Sequence, residues 1–201
     1  MLLKLKRETA AHHSAADTDR LALVGAAVDT ARYAGYLARI YGFEAPLESA
    51  IALTRGIADV VDVRARTAVR LLKADLMALG VVDASRLPRC PSIFPFRDVP
   101  EALGWMYATT RNTLLHGVVE HHLRTRIPDA LKAAGGYLAI PTRWLRVRSQ
   151  ELAAALDHVA TSAAVADRIV ASARDAFHAQ HAWYQSQPRS QRHVASSGTF
   201  A

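Results

Sequence analysis

An all-α domain is the architecture this sequence predicts, and three features carry the reading. Hydrophobic residues make up 51% of the chain, and alanine and leucine dominate them, a balance that favours helices over strands. No alternation of apolar and polar residues runs for long. Apolar residues recur instead three and four positions apart, in stripes bounded by capping residues, glycines and prolines.

The first helix is expected over Leu2–Asp17, where Leu2, Leu5, Thr9, Ala10 and His13 recur at helical spacing. "DTARYAGYLARIYGFEAPLESAIA" follows from Asp29, capped by Asp29 or Thr30. Tyr33, Leu37, Ile40 and Tyr41 form its stripe, and Gly42 and Pro46 predict a bend. "VRARTAVRLLKADLMALG" is a third helix, stopped by Gly80. "LPRCPSIFPF" holds three prolines and reads as an extended connection.

A long amphipathic helix then starts near Pro100, "VPEALGWMYATTRNTLLHGVVEHHLRTRI", with Glu101 at the positive end of its dipole. Gly135 and Gly136 break the chain. Two more helices follow, "TRWLRVRSQELAAALDHV" and "SAAVADRIVASARDAFHAQHAWYQSQ". The recurring aromatics Tyr33, Tyr36, Tyr41, Phe43, Trp105, Tyr107, Trp144, Phe177 and Trp183 are expected mostly in the core.

The 201 residues suffice for one domain with a sizeable core, expected over residues 1–187, with a polar, disordered tail over 188–201. Cys90 is the single cysteine, so an intrachain disulfide is excluded and a reducing, cytoplasmic setting is expected. The start "MLLKLKRETAAHH" is too charged for a signal peptide. No apolar run reaches the roughly 18 residues of a membrane span. The net charge of +7 suits nucleic acid, an anionic membrane surface, an acidic protein or an acidic small molecule, and charge alone does not choose among them. Its arginines are spread along the chain with no aromatic-basic interleaving, which argues against nucleic acid. Nucleotide-binding glycine loops, cysteine pairs and H-E-x-x-H are absent.

Chemistry concentrates near the amino end. Thr9 and His13 are four apart and share a helix face, whereas His12 points about 100° away. His13 could coordinate a metal or cofactor through one ring nitrogen, and Lys6 could meet a carboxylate at that cofactor's edge. A lone histidine in such a place is more often a packed side chain. His121 and His122 are adjacent on a helix and diverge, so a solvated face is expected there. His178 and His181 are three apart but lack an evident third ligand.

"LKRETAAHHSAAD" resembles the opening of bacterial haem oxygenases, where Leu-x-x-x-Thr-x-x-x-His begins the proximal helix; Leu5, Thr9 and His13 match it. The resemblance continues in order through "YAGYLARIYGFEAPLE", "LLKADLMALG", "LPRC", "ALGWMYATTRNTL", "RWLRV" and "ARDAFHAQHAWY", covering roughly Leu5 to Gln185. It is nearest the short type paired with bacteriophytochromes. The resemblance implies a haem-oxygenase-like helical bundle with His13 as the axial ligand to haem iron. Haem would be cofactor and substrate, opened with O2 and external electrons to biliverdin, carbon monoxide and ferrous iron. It further implies Lys6, Thr9 and Arg143 as haem-binding residues, Arg143 meeting a propionate. An acidic ferredoxin or a reductase would supply electrons, and a bilin-using phytochrome would take the product.

The distal helix departs from the family pattern. Where the family reads Gly-Ser-Thr-Leu-Gly-Gly or a close variant, this chain reads Arg111, Asn112, Thr113, Leu114, Leu115 and His116. Glycines there let the backbone approach the haem face. Arg111 and Leu115, on one face, would fill the oxygen site. Asn112 could hold distal water and act in catalysis. His116 is either a sixth iron ligand or a surface histidine beside His121 and His122. These departures motivate the alternative: a haem-oxygenase-like protein without cleavage activity that binds haem, another tetrapyrrole or a protein partner.

Overall fold

The computed structural model describes residues 1–25, 27–64, 68–140 and 142–186, with the side chains of Thr142 and Arg143 outside the description. The secondary structure of these residues is helical, with no strand. In chain order the helices are α1 (Leu2–Glu8), α2 (Ala10–Val24), α3 (Thr30–Ala52), α4 (Val69–Ala78), α5 (Val99–Asn112), α6 (His116–Arg124), α7 (Pro128–Ala133), α8 (Thr142–Val159) and α9 (Ala163–Gln185). α5 and α9 pack along each other at the centre; α2 lies on α9, α8 on α5, and α4 on α3. The α5–α9 approach is set by Gly104. A methyl group there would stand 2.6 Å from the Ile169 carbonyl oxygen and 2.8 Å from the Ala173 nitrogen. No helix among the described residues is long and apolar enough to cross a membrane.

The caps explain most boundaries. The side chains of Asp29, Asp98 and Ser162 accept from the backbone N–H three residues on, starting α3, α5 and α9. Gly80 adopts φ +87°, and the Val81 N–H closes on the Leu76 carbonyl, which ends α4 as expected. Leucine, isoleucine and aromatic side chains fill the core between the helices, including Leu5, Leu37, Ile40, Phe43, Leu103 and Phe177. Burying each contributes roughly 1.5–3 kcal/mol.

Several expectations are corrected. The first helix breaks at Thr9, whose hydroxyl donates to the Leu5 carbonyl at 2.7 Å and whose backbone leaves helical geometry at φ −113°, ψ 5°. Beyond that break α2 runs on to Val24 instead of stopping at Asp17. α3 runs unbroken through Gly42 and Pro46, in keeping with the long helical stretch the sequence predicts. Proline has no N–H for the carbonyl four residues earlier; that carbonyl, on Gly42, accepts from Cys90 at 2.8 Å instead. The "LPRCPSIFPF" connection is irregular as expected, and it is thereby tied to the middle of α3.

α4 begins at Val69, where the Glu48 carboxylate accepts from the backbone of Ala68 and Val69. The long helix from Pro100 is interrupted by a 3-10 turn over Thr113–Leu115, and α7 was not expected. Among the core aromatics, Trp144 is the exception, at 48% exposed. The expected tail, residues 188–201, lies outside the described residues.

Candidate functional site

A cleft of about 270 Å³ opens between α1, α2, α5 and α8. Leu2, Leu114 and Leu152 give it apolar walls; Tyr107, Thr110 and Ser149 give hydroxyl groups; Lys6, His13 and Arg111 give cationic or basic groups. Lys6, His13 and Arg111 line the same cleft. Lys6 is exposed at the rim, with no ion pair among the described residues.

His13 is held from two sides. Its Nε2 lies 2.9 Å from the Thr9 hydroxyl and 3.4 Å from the Tyr107 hydroxyl. Thr9 spends its one proton on Leu5, so it accepts from His13, and Nε2 carries the imidazole proton. The ring packs on Phe177 at 5.6 Å between centroids. Burial, then the nearby Arg111 charge, lowers the His13 pKa and keeps the ring neutral at pH 7. Thr9 is fully buried and reaches the cleft only through His13; it positions the ring instead of touching a ligand.

Arg111 does not stand free in the cleft. Its Nη2 pairs with Asp17 at 2.7 Å, which ties α5 to α2 one turn beyond His13. Leu115 is absent from the cleft wall and Leu114 takes its place. The 3-10 turn is the reason, because side chains three apart eclipse in that geometry.

The remaining predicted residues lie elsewhere. Asn112 is buried and exchanges two hydrogen bonds with Gln180 of α9, at 3.0 and 3.2 Å, so it faces the helix interface and not the cleft. His116 is 3% exposed and packs on Tyr137 at 4.6 Å. It is neither a surface histidine nor a neighbour of His13. The Arg143 side chain lies outside the described residues. His12 stacks on Phe177 and meets His178 edge-on at 4.8 Å. His122 contacts the Gly25 carbonyl at 3.0 Å while His121 is exposed, so the two diverge. His181 pairs with Asp19 at 2.6 Å.

Sequence reasoning missed Asp17, Tyr107 and Leu2. A usable signal existed: Asp17 is four residues after His13, Tyr107 four before Arg111, and Leu2 four before Lys6.

This arrangement does not fit haem ligated through Nε2 of His13. Space for a macrocycle against that atom is taken by the hydroxyls of Thr9 and Tyr107. What the cleft offers is a cationic rim over apolar walls, a surface for an amphipathic anion. Compared with known proteins, the chain matches no protein-family model, no curated protein and no solved structure.

Proposed function

We propose that the protein is a haem-oxygenase-like helical protein without haem-cleaving activity, and that the His13 cleft binds an anionic tetrapyrrole carboxylate. One observation carries the reading: the Nε2 atom of His13 is committed to Thr9 and screened by Tyr107. An open-chain tetrapyrrole needs no axial imidazole. Lys6 can meet one of its carboxylates, and Leu2, Leu114 and Leu152 can cover its apolar edge.

The test is a titration with biliverdin and, separately, with hemin. Biliverdin should bind with a change in its visible spectrum, and Lys6→Glu should weaken it about tenfold, a loss of about 1.4 kcal/mol. Hemin should give no low-spin, imidazole-ligated spectrum that depends on His13. With a ferredoxin system and reductant, neither biliverdin nor carbon monoxide should form. Conversion of hemin to biliverdin under those conditions would overturn the proposal.

A second reading, haem oxygenase, is favoured by the convergence of Lys6, His13 and Arg111 from two separate chain segments on one cleft. It requires α5 to withdraw from α2, breaking the Arg111–Asp17 pair and the Tyr107–His13 contact, and the Thr9–His13 hydrogen bond to give way. The basic chain would then meet an acidic electron donor. Haem, when bound, would supply the oxygen chemistry; this chain would supply the axial imidazole and the cationic rim.

A further inference from the structure

Several histidines of this chain already have a task in the fold. His13 donates to Thr9, His122 contacts the Gly25 carbonyl, His181 pairs with Asp19, and His116 packs on Tyr137. His12 of α2 and His178 of α9 are different. Their rings meet edge-on, with centroids 4.8 Å apart and planes at 82°. Neither imidazole has a hydrogen-bond partner among the described residues.

Tertiary packing makes this pair, because α2 lies on α9. The histidine at helical spacing from His178 is His181, and Asp19 holds that ring instead. One member of the pair is fixed and the other is free to turn. His12 is partly buried and stacks on Phe177, with centroids 5.9 Å apart and planes 11° apart. His178 is exposed, so its ring can rotate to aim a nitrogen at the His12 side.

The spacing suits two imidazoles on one metal ion. A zinc-bound histidine nitrogen lies ~2.0–2.1 Å from the metal, and its ring centre roughly 1.1 Å further out. At a tetrahedral angle, two such rings have centres about 5 Å apart. The observed 4.8 Å is close to that. A metal takes the neutral imidazole. Burial, then His178 and Arg174, lower the His12 pKa, so that ring is neutral at pH 7. Arg174 would repel a cation, but it is paired with the Glu8 carboxylate at 3.1 Å and also donates to the Glu8 carbonyl. Among the described residues no group of three or more histidine, cysteine, aspartate or glutamate side chains gathers for a metal. The protein therefore offers two ligands here, and water would fill the other positions.

We propose that His12 and His178 together hold a divalent transition-metal ion of the zinc class at the α2–α9 junction. The ligand set selects the class. Two imidazole nitrogens suit zinc, copper or nickel, whereas magnesium and calcium take oxygen. An ion there would tie α2 to α9 beside Phe177, whose ring also packs on His13 at 5.6 Å. It would steady the support behind His13 without entering the cleft. The site does not depend on what that cleft binds.

Isothermal titration of the full chain with zinc chloride at pH 7.5 tests this. The tightest equivalent of zinc should bind at this pair. His12→Ala and His178→Ala should each weaken it about tenfold or more, because one imidazole alone loses the gain of joint binding. His121→Ala, at an exposed histidine of α6, should leave it unchanged. Zinc should raise the melting temperature of the parent and not of either pair variant, since it binds two helices that part on unfolding. His178 is exposed, so His178→Ala still reports on the metal if His12→Ala loosens the fold. By NMR, the ring resonances of His12 and His178 should shift together over the first equivalent. Zinc binding at full strength in either pair variant, or a shift in one ring alone, would mean an adventitious ion only and would overturn the proposal. So would absence of zinc uptake by the folded parent at pH 7.5.

Discussion

The His13 cleft and the buried Arg20 cluster hold their charges in opposite ways. In the cleft, Arg111 is paired with a carboxylate, and both side chains are partly exposed at 20% and 34%. In the core, Arg20 is fully buried, has only phenol hydroxyls as hydrogen-bond partners among the described residues and lies near the Glu44 carboxyl. A half-exposed pair costs little to form and contributes little, roughly 0–1 kcal/mol. A buried, incompletely satisfied cation is expensive.

The substitution that reaches both regions together is Gly104→Ala. The added methyl would meet backbone atoms of Ile169 and Ala173, which cannot swing aside as a flexible side chain can. α5 must then move off α9, carrying one wall of the cleft with it. Overpacking of this kind costs about 1–3 kcal/mol, and we expect the upper end. At ~2–4 °C per kcal/mol for a chain of this size, the melting temperature should drop by about 6–12 °C. An unchanged melting temperature would break the link between the two regions.

His116→Phe separates them, because it alters only the buried side. Ordinary histidine titrates near 6.5, but His116 in the folded chain titrates near pH 3, chiefly through burial and then through Arg20. Below pH 6.5 the unfolded chain binds a proton that the folded chain refuses. The stability present above 6.5 is therefore lost progressively as the pH falls from 6.5 toward 3, by about 1.4 kcal/mol per pH unit. Phenylalanine removes this loss. Denaturant melts at pH 7.5 and 5.5 should show the variant gaining about 1 kcal/mol on the parent over that interval. Parallel pH profiles for the two proteins would place His116 in contact with solvent.

The two regions also differ in how far the sequence reveals them. Helices α3 and α5 were legible because local residues mark their starts, Asp29 at the cap of α3 and Pro100 with Glu101 in the first turn of α5. The break at Thr9 and the 3-10 turn at Thr113–Leu115 were not, since helical periodicity continues through both. The start of α4 depends on Glu48, some twenty residues earlier. Lys6, Thr9 and His13 were legible as neighbours because local spacing puts them together. The buried cluster draws on residues 20, 44, 116, 137 and 184, which only tertiary packing unites. Its one local trace is Arg20 itself, a charge four residues from buried Ala16 and four from buried Val24. Read as a stripe, that face of α2 should have been apolar throughout.

The smallest effect is also the sharpest for the cleft. Arg111 lowers the His13 pKa and Asp17 raises it, although the two are paired with each other. Arg111→Ala should therefore raise the His13 pKa, and Asp17→Asn should lower it. Histidine resonances followed by NMR between pH 4 and 8 would read both. Each single change should cost no more than about 1 kcal/mol of stability, because the pair is partly exposed. A shift of the same sign in both variants would mean that the ring moves when the pair is cut. In that case the pair acts as a latch holding α5 over Nε2, and opening it would take Tyr107 away while Thr9 still faces the ring. Opposite signs would leave the ring where Thr9 and Tyr107 hold it, with charge alone having changed.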